Sequence, residues 1–383
     1  MASSLILHAG MHKTGTSSIQ KTLFHGLQDT RYHYVGCGLV NGSRAIHTLV
    51  ADQPVLHHTH RDRGLDDKAV EQLRIHYQQK WNQQLELARE SAATPIVSAE
   101  ECWLLSASEL QKLRTMIELA GYRAHVVVYL RSPLSWMSSM IQELLKSTLS
   151  PLVDAWLSTA PPAWGQLPHL QPMYSERLAL FRDIFGADAL TVRHFNLATL
   201  SGGCVVLDFC RFIGLAIEPQ AVLRSNDSMA LDASRFLYVY NRFTRNRSKV
   251  SYFAHQARLH RLQSTPGSPL KLHPKALASI QSVLHRQVAE IRADYGIDLS
   301  EKRPTTEANL VTSTEDLLQF SSASLDWLAG AVGCQPVQPG QDSTAQQVAE
   351  QMRILGYACG SGIDRLHAMA SRLLWKWRYR RWA

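Results

Sequence analysis

The residues with the clearest chemical character stand near the start of the chain, in "GMHKTGTSS", residues 10–18. Gly10 and Gly15 have the separation of the glycines in a Walker A loop, G-x-x-x-x-G-K-[ST]. There, backbone N–H groups cradle phosphates, the lysine reaches the terminal phosphate and the hydroxyl holds magnesium. Here Thr16 stands where that lysine belongs, and Lys13 comes two places before the second glycine. The loop therefore lacks the cation of an ATPase site. Lys13 would approach a phosphate from the front of the loop, while the amides of Gly15 to Ser18 open a helix whose N-terminus favours an anion. That arrangement suits a nucleotide whose 5′-phosphate is a leaving group.

Two further stretches carry chemistry. "LRSPLSWMSS" supplies Arg131, Pro133 and, eight residues after the arginine, Ser139, with Ser138 its near rival. "IVSAEECW" places Glu100 and Glu101 directly after a short apolar run. The loop and the arginine stretch together resemble the sulfotransferases that use 3′-phosphoadenosine 5′-phosphosulfate (PAPS). Those enzymes carry a lysine, a small residue, a glycine and hydroxyls after the first strand. On a later strand they carry an arginine with a nearby proline and a serine eight residues on. "LTVRHFNLATLSGGCVVLDFCRFIGL" looks like the family's later strand and helix, so the resemblance covers roughly residues 1 to 300.

The resemblance implies that Lys13, Thr14, Gly15, Thr16, Ser17 and Ser18 hold the 5′-phosphosulfate of PAPS, and that Arg131 and Ser139 hold the 3′-phosphate. A second phosphate needs its own cation, and a guanidinium gives a charge-assisted, bidentate contact. Transfer also requires a base for the acceptor and cationic support for the departing phosphate. Glu100 is the first choice as base and Glu101 the second, with His8 and His12 as rivals; Lys13 supports the bridging oxygen. The implied reaction moves a sulfuryl group to a hydroxyl of a carbohydrate or glycolipid and leaves 3′,5′-adenosine bisphosphate, with no metal. A P-loop kinase is disfavoured by the missing Gly-Lys pair, and a noncatalytic nucleotide-binding or membrane-scaffold protein is the reading from another class.

The elements that must position these residues follow from the apolar pattern. "LILHAG", "TPIVSAEE", "AHVVVYLRSP" and "ALTVRHF" read as strands. "TSSIQKTLFHGL", residues 69–90, "LSWMSSMIQELLK" and "VVLDFCRFIGL" read as helices. Leu277, Ile280, Leu284, Val288, Ile291 and Tyr295 mark one face of another. Alternating strands and helices predict an α/β fold with a parallel sheet flanked by helices; the resemblance implies that this is the P-loop NTPase-like fold of sulfotransferases, here with a helical C-terminal extension. Residues 1–310 form the expected catalytic domain, 311–343 an irregular linker, and 344–383 a helical, basic and aromatic tail.

Composition sets the limits. The 383 residues are 45% hydrophobic and 19% charged, as in a globular protein. Residues 361–383 hold six basic side chains against Asp364 and so carry +5 of the net +8. The remainder is too mildly basic for a nucleic-acid groove, so no nucleic-acid partner is expected. Rings and cations alternate in "WKWRYRRW", the mixture that favours an anionic membrane surface, although a packed terminal helix is the plainer reading. No run approaches the roughly 20 apolar residues of a spanning helix, and "MASSLILHAG" lacks a basic n-region, so the expected location is cytoplasmic, at most peripheral to a membrane. Six scattered cysteines predict reduced thiols. "LHHTH", with His57, His58 and His60, has no further ligand nearby in sequence and is not expected to bind metal. Lys271, before the last long helix, is read as an exposed lysine.

Overall fold

The computed structural model describes residues 3–147, 149–157, 172–225, 228–244, 252–301, 309–340, 343–358 and 369. The chain divides into two compact units, the first made of Met1–Pro133, Pro172–Asn226 and Val283–Ser300, the second of Leu134–Gln171, Asp227–Ser282 and Glu301–Ala383.

The first unit holds β1 (Ser3–His8), α1 (Thr16–Gly26), β2 (Tyr32–Tyr34), α2 (Ser43–Val50), α3 (His58–Arg61), α4 (Asp67–Glu90), β3 (Thr94–Ser98), α5 (Ala107–Leu119) and β4 (Tyr122–Leu130). Its five strands, completed by β5 (Leu190–His194), form one parallel sheet in the order β2-β3-β1-β4-β5. Parallel pairing requires crossovers, and the helices supply them. Leu5 and Leu7 on β1, and Val126 to Leu130 on β4, are fully buried, the continuous apolar run of strands covered on both faces. On one face, Ile19 and Leu23 of α1 pack with Val206, Phe209 and Cys210 of a later helix over Ile6, Ile96, Val127 and Tyr129. Helix α4 begins at a capped end, with Asp66 accepting from the Ala69 N–H at 2.8 Å, and buries Val70, Tyr77, Trp81, Leu85 and Ala88 along one stripe.

The order of the strands decides where a ligand can sit. The chain leaves β1 for β2 and β3 on one side and places β4 and β5 on the other, so β1 and β4 flank the topological switch point. Lys13 follows β1 and Arg131 follows β4, both at carboxyl ends. Below them a polar knot ties β4 to the segment after β5: Tyr129 Oη donates to Asp208 at 2.7 Å, and Arg193 makes two bonds to the same carboxylate at 2.9 and 3.0 Å. Burial, then the Asp208 carboxylate, pushes the Tyr129 phenol far above its usual range. The Asp208 acid is buried but paired, as a buried charge must be.

The helices after β4 begin with α6 (Pro133–Lys146) and α7 (Ser150–Leu157), which give the second unit its first helices; α8 (Tyr174–Phe185), α9 (Val205–Ile213) and most of α12 (Gln281–Tyr295) belong to the first. The second unit continues with α10 (Leu231–Phe243), α11 (Tyr252–Leu262), β6 (Lys271–Leu272), β7 (Leu310–Val311), α13 (Ser322–Val332) and α14 (Thr344–Ala358). Helix α10 is its centre: Phe236 stacks with Phe320 and Trp327, Tyr238 donates to Asp154 at 2.6 Å, and Asn241 donates to the Leu145 carbonyl at 2.8 Å.

The four expected strands and the helices after them occur where the periodicity puts them. The short β2 and helix α2 have no comparable signature. Leu277 and Ile280 lie in a 3₁₀ segment, Pro274–Ile280, ahead of α12. Residues 311–343, expected as irregular linker, contain α13, and the two units interleave along the chain instead of meeting near residue 310. The tail expected at 344–383 starts with α14; its basic and aromatic part, apart from Met369, lies outside the described residues. Cys37, Cys102, Cys204 and Cys210 are buried thiols.

Candidate functional site

The loop between β1 and α1 is shaped by two close approaches. A Cβ on Gly10 would lie 2.4 Å from Thr16 Oγ1, and one on Gly15 would lie 2.6 Å from Val205 Cγ1. Gly15 is also left-handed at φ 78°, and Lys13 shares that region at φ 66°. A lysine there is uncommon and strained relative to glycine, so the surrounding loop must hold it. Thr14 provides part of that hold: it is fully buried and its hydroxyl donates to the Met11 carbonyl at 2.6 Å. The Gly15 carbonyl accepts from Ser18 and Ile19, starting α1 with no acidic residue in its first turn. A helix N-terminus with no acidic residue in its first turn suits an anion.

Arg131 comes to this loop from β4. Its Nη1 donates to the Lys13 carbonyl at 2.9 Å, and its guanidinium lies 5.5 Å from the centre of the Phe195 ring. Phe195 in turn lies 3.3 Å from the position of a Gly15 Cβ, so ring, arginine and loop support one another. The Arg131 carbonyl accepts from the hydroxyl of buried Tyr174. Two stretches 118 residues apart in sequence are thereby brought together.

Ser139 and Ser138 lie on α6 in the second unit. Ser138 is spent on structure, donating to the Leu134 carbonyl at 2.7 Å and accepting from the Leu272 N–H at 3.0 Å. Ser139 is half-buried. Lys271, on β6, is exposed.

Glu100 follows β3 on a single 3₁₀ turn, Glu100–Leu104. Asn41 Nδ2 donates to its Oε1 at 3.3 Å; Asn41 Oδ1 accepts from Gln20 at 3.1 Å and from the Ser43 N–H at 2.9 Å. Gln20 Nε2 also reaches the Ser98 carbonyl at 3.2 Å. Gln20 is a buried residue of α1, the helix that follows the glycine loop, so loop and carboxylate are held by one helix. Gln20 and Asn41 carry no sequence signal for this role.

The rival residues differ in kind. His8 is fully buried, with Nδ1 2.8 Å from Ser98 Oγ, and burial lowers its pKa to about 3, so it is a neutral packed imidazole. Glu101, instead, pairs with the histidines: its Oε2 is 2.5 Å from His57 Nε2 and its Oε1 is 3.9 Å from His58 Nδ1. Burial raises its pKa, but the His57 hydrogen bond and the charges of His57, His58 and His12 outweigh that and leave it below the usual value. The contribution of His12 connects the loop to this cluster.

His47, His57 and His58 line an open cavity of about 460 Å³ together with Asp52, Gln53, Leu56 and Glu109. His47 lies against His57 with ring centres 4.2 Å apart, and His58 lies 4.4 Å from it. Burial, then His57, lowers His47 to about 4, and its Nδ1 is buried without a hydrogen-bond partner among the described residues. His60 is buried, facing Thr48 and the Pro54 carbonyl. Sequence proximity alone found no carboxylate for the histidine run; folding brings one from 44 residues away.

A scan against family models finds no match, and a search of the curated proteins finds none. Among solved structures, the chain is similar to a sulfotransferase from Alicyclobacillus acidocaldarius at 15% identity, covering 76% of this chain and 96% of that one, with a TM-score of 0.41. Among the described residues, no helix is long and apolar enough to cross a membrane.

Proposed function

We propose that the protein is a PAPS-dependent sulfotransferase acting on a hydroxyl of a carbohydrate or glycolipid. The observation that carries the reading is the bond from Arg131 to the Lys13 carbonyl, because it joins the two stretches on which the sequence resemblance rests. In this reading Lys13, Thr14, Gly15, Thr16, Ser17 and Ser18 receive the 5′-phosphosulfate of PAPS, while Arg131 and Ser139 serve the 3′-phosphate. Glu100 takes the acceptor proton as the acceptor oxygen attacks sulfur. The bond from sulfur to the bridging oxygen then breaks, and Lys13 supports the charge that grows on the departing 3′,5′-adenosine bisphosphate.

The test is protection from thermal unfolding. The bisphosphate is expected to stabilise the protein and ATP with magnesium is not, with radiolabelled sulfuryl transfer to candidate glycans and lipids as the second readout. Arg131→Ala is expected to weaken bisphosphate binding by about 10- to 100-fold, the scale of a lost hydrogen bond to a charged group. Unchanged affinity in the folded variant excludes the assignment. Selective protection by ATP would favour the kinase reading instead, and bisphosphate binding without turnover the noncatalytic one.

Peripheral contact of the C-terminal tail with an anionic membrane is a separate proposal, resting on its sequence. Sedimentation with anionic liposomes should bring down the full chain and not a truncation after Asp342; equal failure of both removes it.

A further inference from the structure

We propose that His57, His58 and Glu101 form a binding site for a divalent transition cation of the zinc and cobalt class, separate from the nucleotide loop and independent of the transfer chemistry proposed above. Their donor atoms, one from each residue, lie within 4.8 Å of one another. Two imidazoles and a carboxylate are borderline donors that suit such ions, and three protein ligands with an open position describe a cation that also takes water or an outside ligand. The open position has room, since His57 and His58 both line the cavity of about 460 Å³.

The geometry needs only small movements. Ligand atoms about 2.1 Å from a tetrahedral ion stand about 3.4 Å apart. The His57 to Glu101 separation of 2.5 Å opens, and the His58 to Glu101 separation of 3.9 Å closes. The backbone favours this convergence, because His57 is the extended residue that caps α3 and His58 is the first residue of that helix. His58 is the exposed member, at 57%, whereas the His57 and Glu101 side chains are only 6% and 16% exposed.

Metal-bound imidazole needs its other nitrogen to be protonated and oriented. Thr59 Oγ1 lies 2.7 Å from His57 Nδ1, within reach to accept that proton in the metal-bound state. The competing contact from the Thr59 N–H to the same nitrogen is long, at 3.3 Å, and yields when the cation replaces the proton on Nε2. The cation thus substitutes for the hydrogen bond that joins His57 to Glu101.

Cobalt(II) titration of the full chain, carrying no histidine tag, tests the site. The expected result is one equivalent bound saturably, visible d–d bands of four- or five-coordinate cobalt, and reversal by zinc or a chelator. His58→Ala and Glu101→Gln should each weaken binding at least about 10-fold, and Thr59→Val by about 10-fold through His57. His76→Ala, on the exposed face of α4, should leave it unchanged. Circular dichroism confirms that each variant is folded, and His58→Ala keeps the test decisive if the Glu101 variant is not. No saturable equivalent, or cobalt binding as strong in His58→Ala as in the parent, overturns the proposal and assigns any bound cation to others of the 17 histidines.

Discussion

The loop between β1 and α1 and the histidine cluster differ in the part of the chain that builds them. Residues 10–18 act through backbone: the amides at the start of α1, the left-handed turns at Lys13 and Gly15, and the two positions where a Cβ does not fit. Such a site has to be contiguous in sequence, because consecutive amides converge only when the residues are consecutive. The cluster is built of side chains, and its carboxylate and imidazoles come from segments 44 residues apart. A backbone site leaves a motif, and a side-chain site leaves a composition that many surfaces share.

The two regions meet near Glu100 and Glu101, adjacent in sequence and opposite in company. Glu100 joins Asn41 and, through it, Gln20 of α1; Glu101 joins His57. If the division is real, the larger effect falls on Glu100. Glu100→Gln is expected to lower sulfuryl turnover by about 10²- to 10⁴-fold, the range for a positioned general base, with bisphosphate affinity intact. Steady-state rates beside a binding isotherm check this. Full activity in Glu100→Gln together with loss in Glu101→Gln would move the base into the histidine cluster and erase the distinction.

How much was legible follows the same division. The four long strands could be read because apolar runs such as "VVVYL" leave a buried parallel strand little alternative, and the glycines of the loop stood out because a close approach such as those at Gly10 and Gly15 restricts residue type. The three-residue β2 and helix α2 are held by tertiary packing, with Ala45, Ile46 and Val50 buried against neighbours that the local sequence does not name. Gln20 looked like any helical residue, and the Glu101 to His57 pair needed the turn after β3 to be known. The plan of domains was the least legible, since units that interleave leave no composition break at their boundaries.

His8 extends the comparison to stability. It lies at the end of β1, under the loop, and its pKa is about 3 in the folded chain against 6.5 unfolded. A depressed imidazole binds its proton preferentially in the unfolded state, so its contribution is whole above about pH 6.5 and declines as pH falls toward 3. At pH 5 the loss attributable to His8 is about 2 kcal/mol. Urea unfolding at several pH values, comparing the parent with His8→Gln, should show a flatter pH dependence in the variant. Parallel curves would mean that the loop does not rest on a neutral histidine.

The smallest effects separate the two histidines that face Glu101. His57 is in the wall, and removing it in His57→Ala leaves the largely covered Glu101 carboxylate, 16% exposed, without its 2.5 Å partner. An abandoned buried acceptor costs about 1–3 kcal/mol. His58 is 57% exposed and 3.9 Å from the same carboxylate, a separation at which a partly solvated pair contributes little. His58→Ala should therefore change stability by under about 0.5 kcal/mol, as a surface substitution does. Denaturant midpoints for the two variants at pH 7 measure the difference directly. A cost for His58→Ala equal to that of His57→Ala would make His58 part of the packed wall; a small cost would leave it the adjustable member of the cluster, which is what a side chain must be if it closes on a ligand.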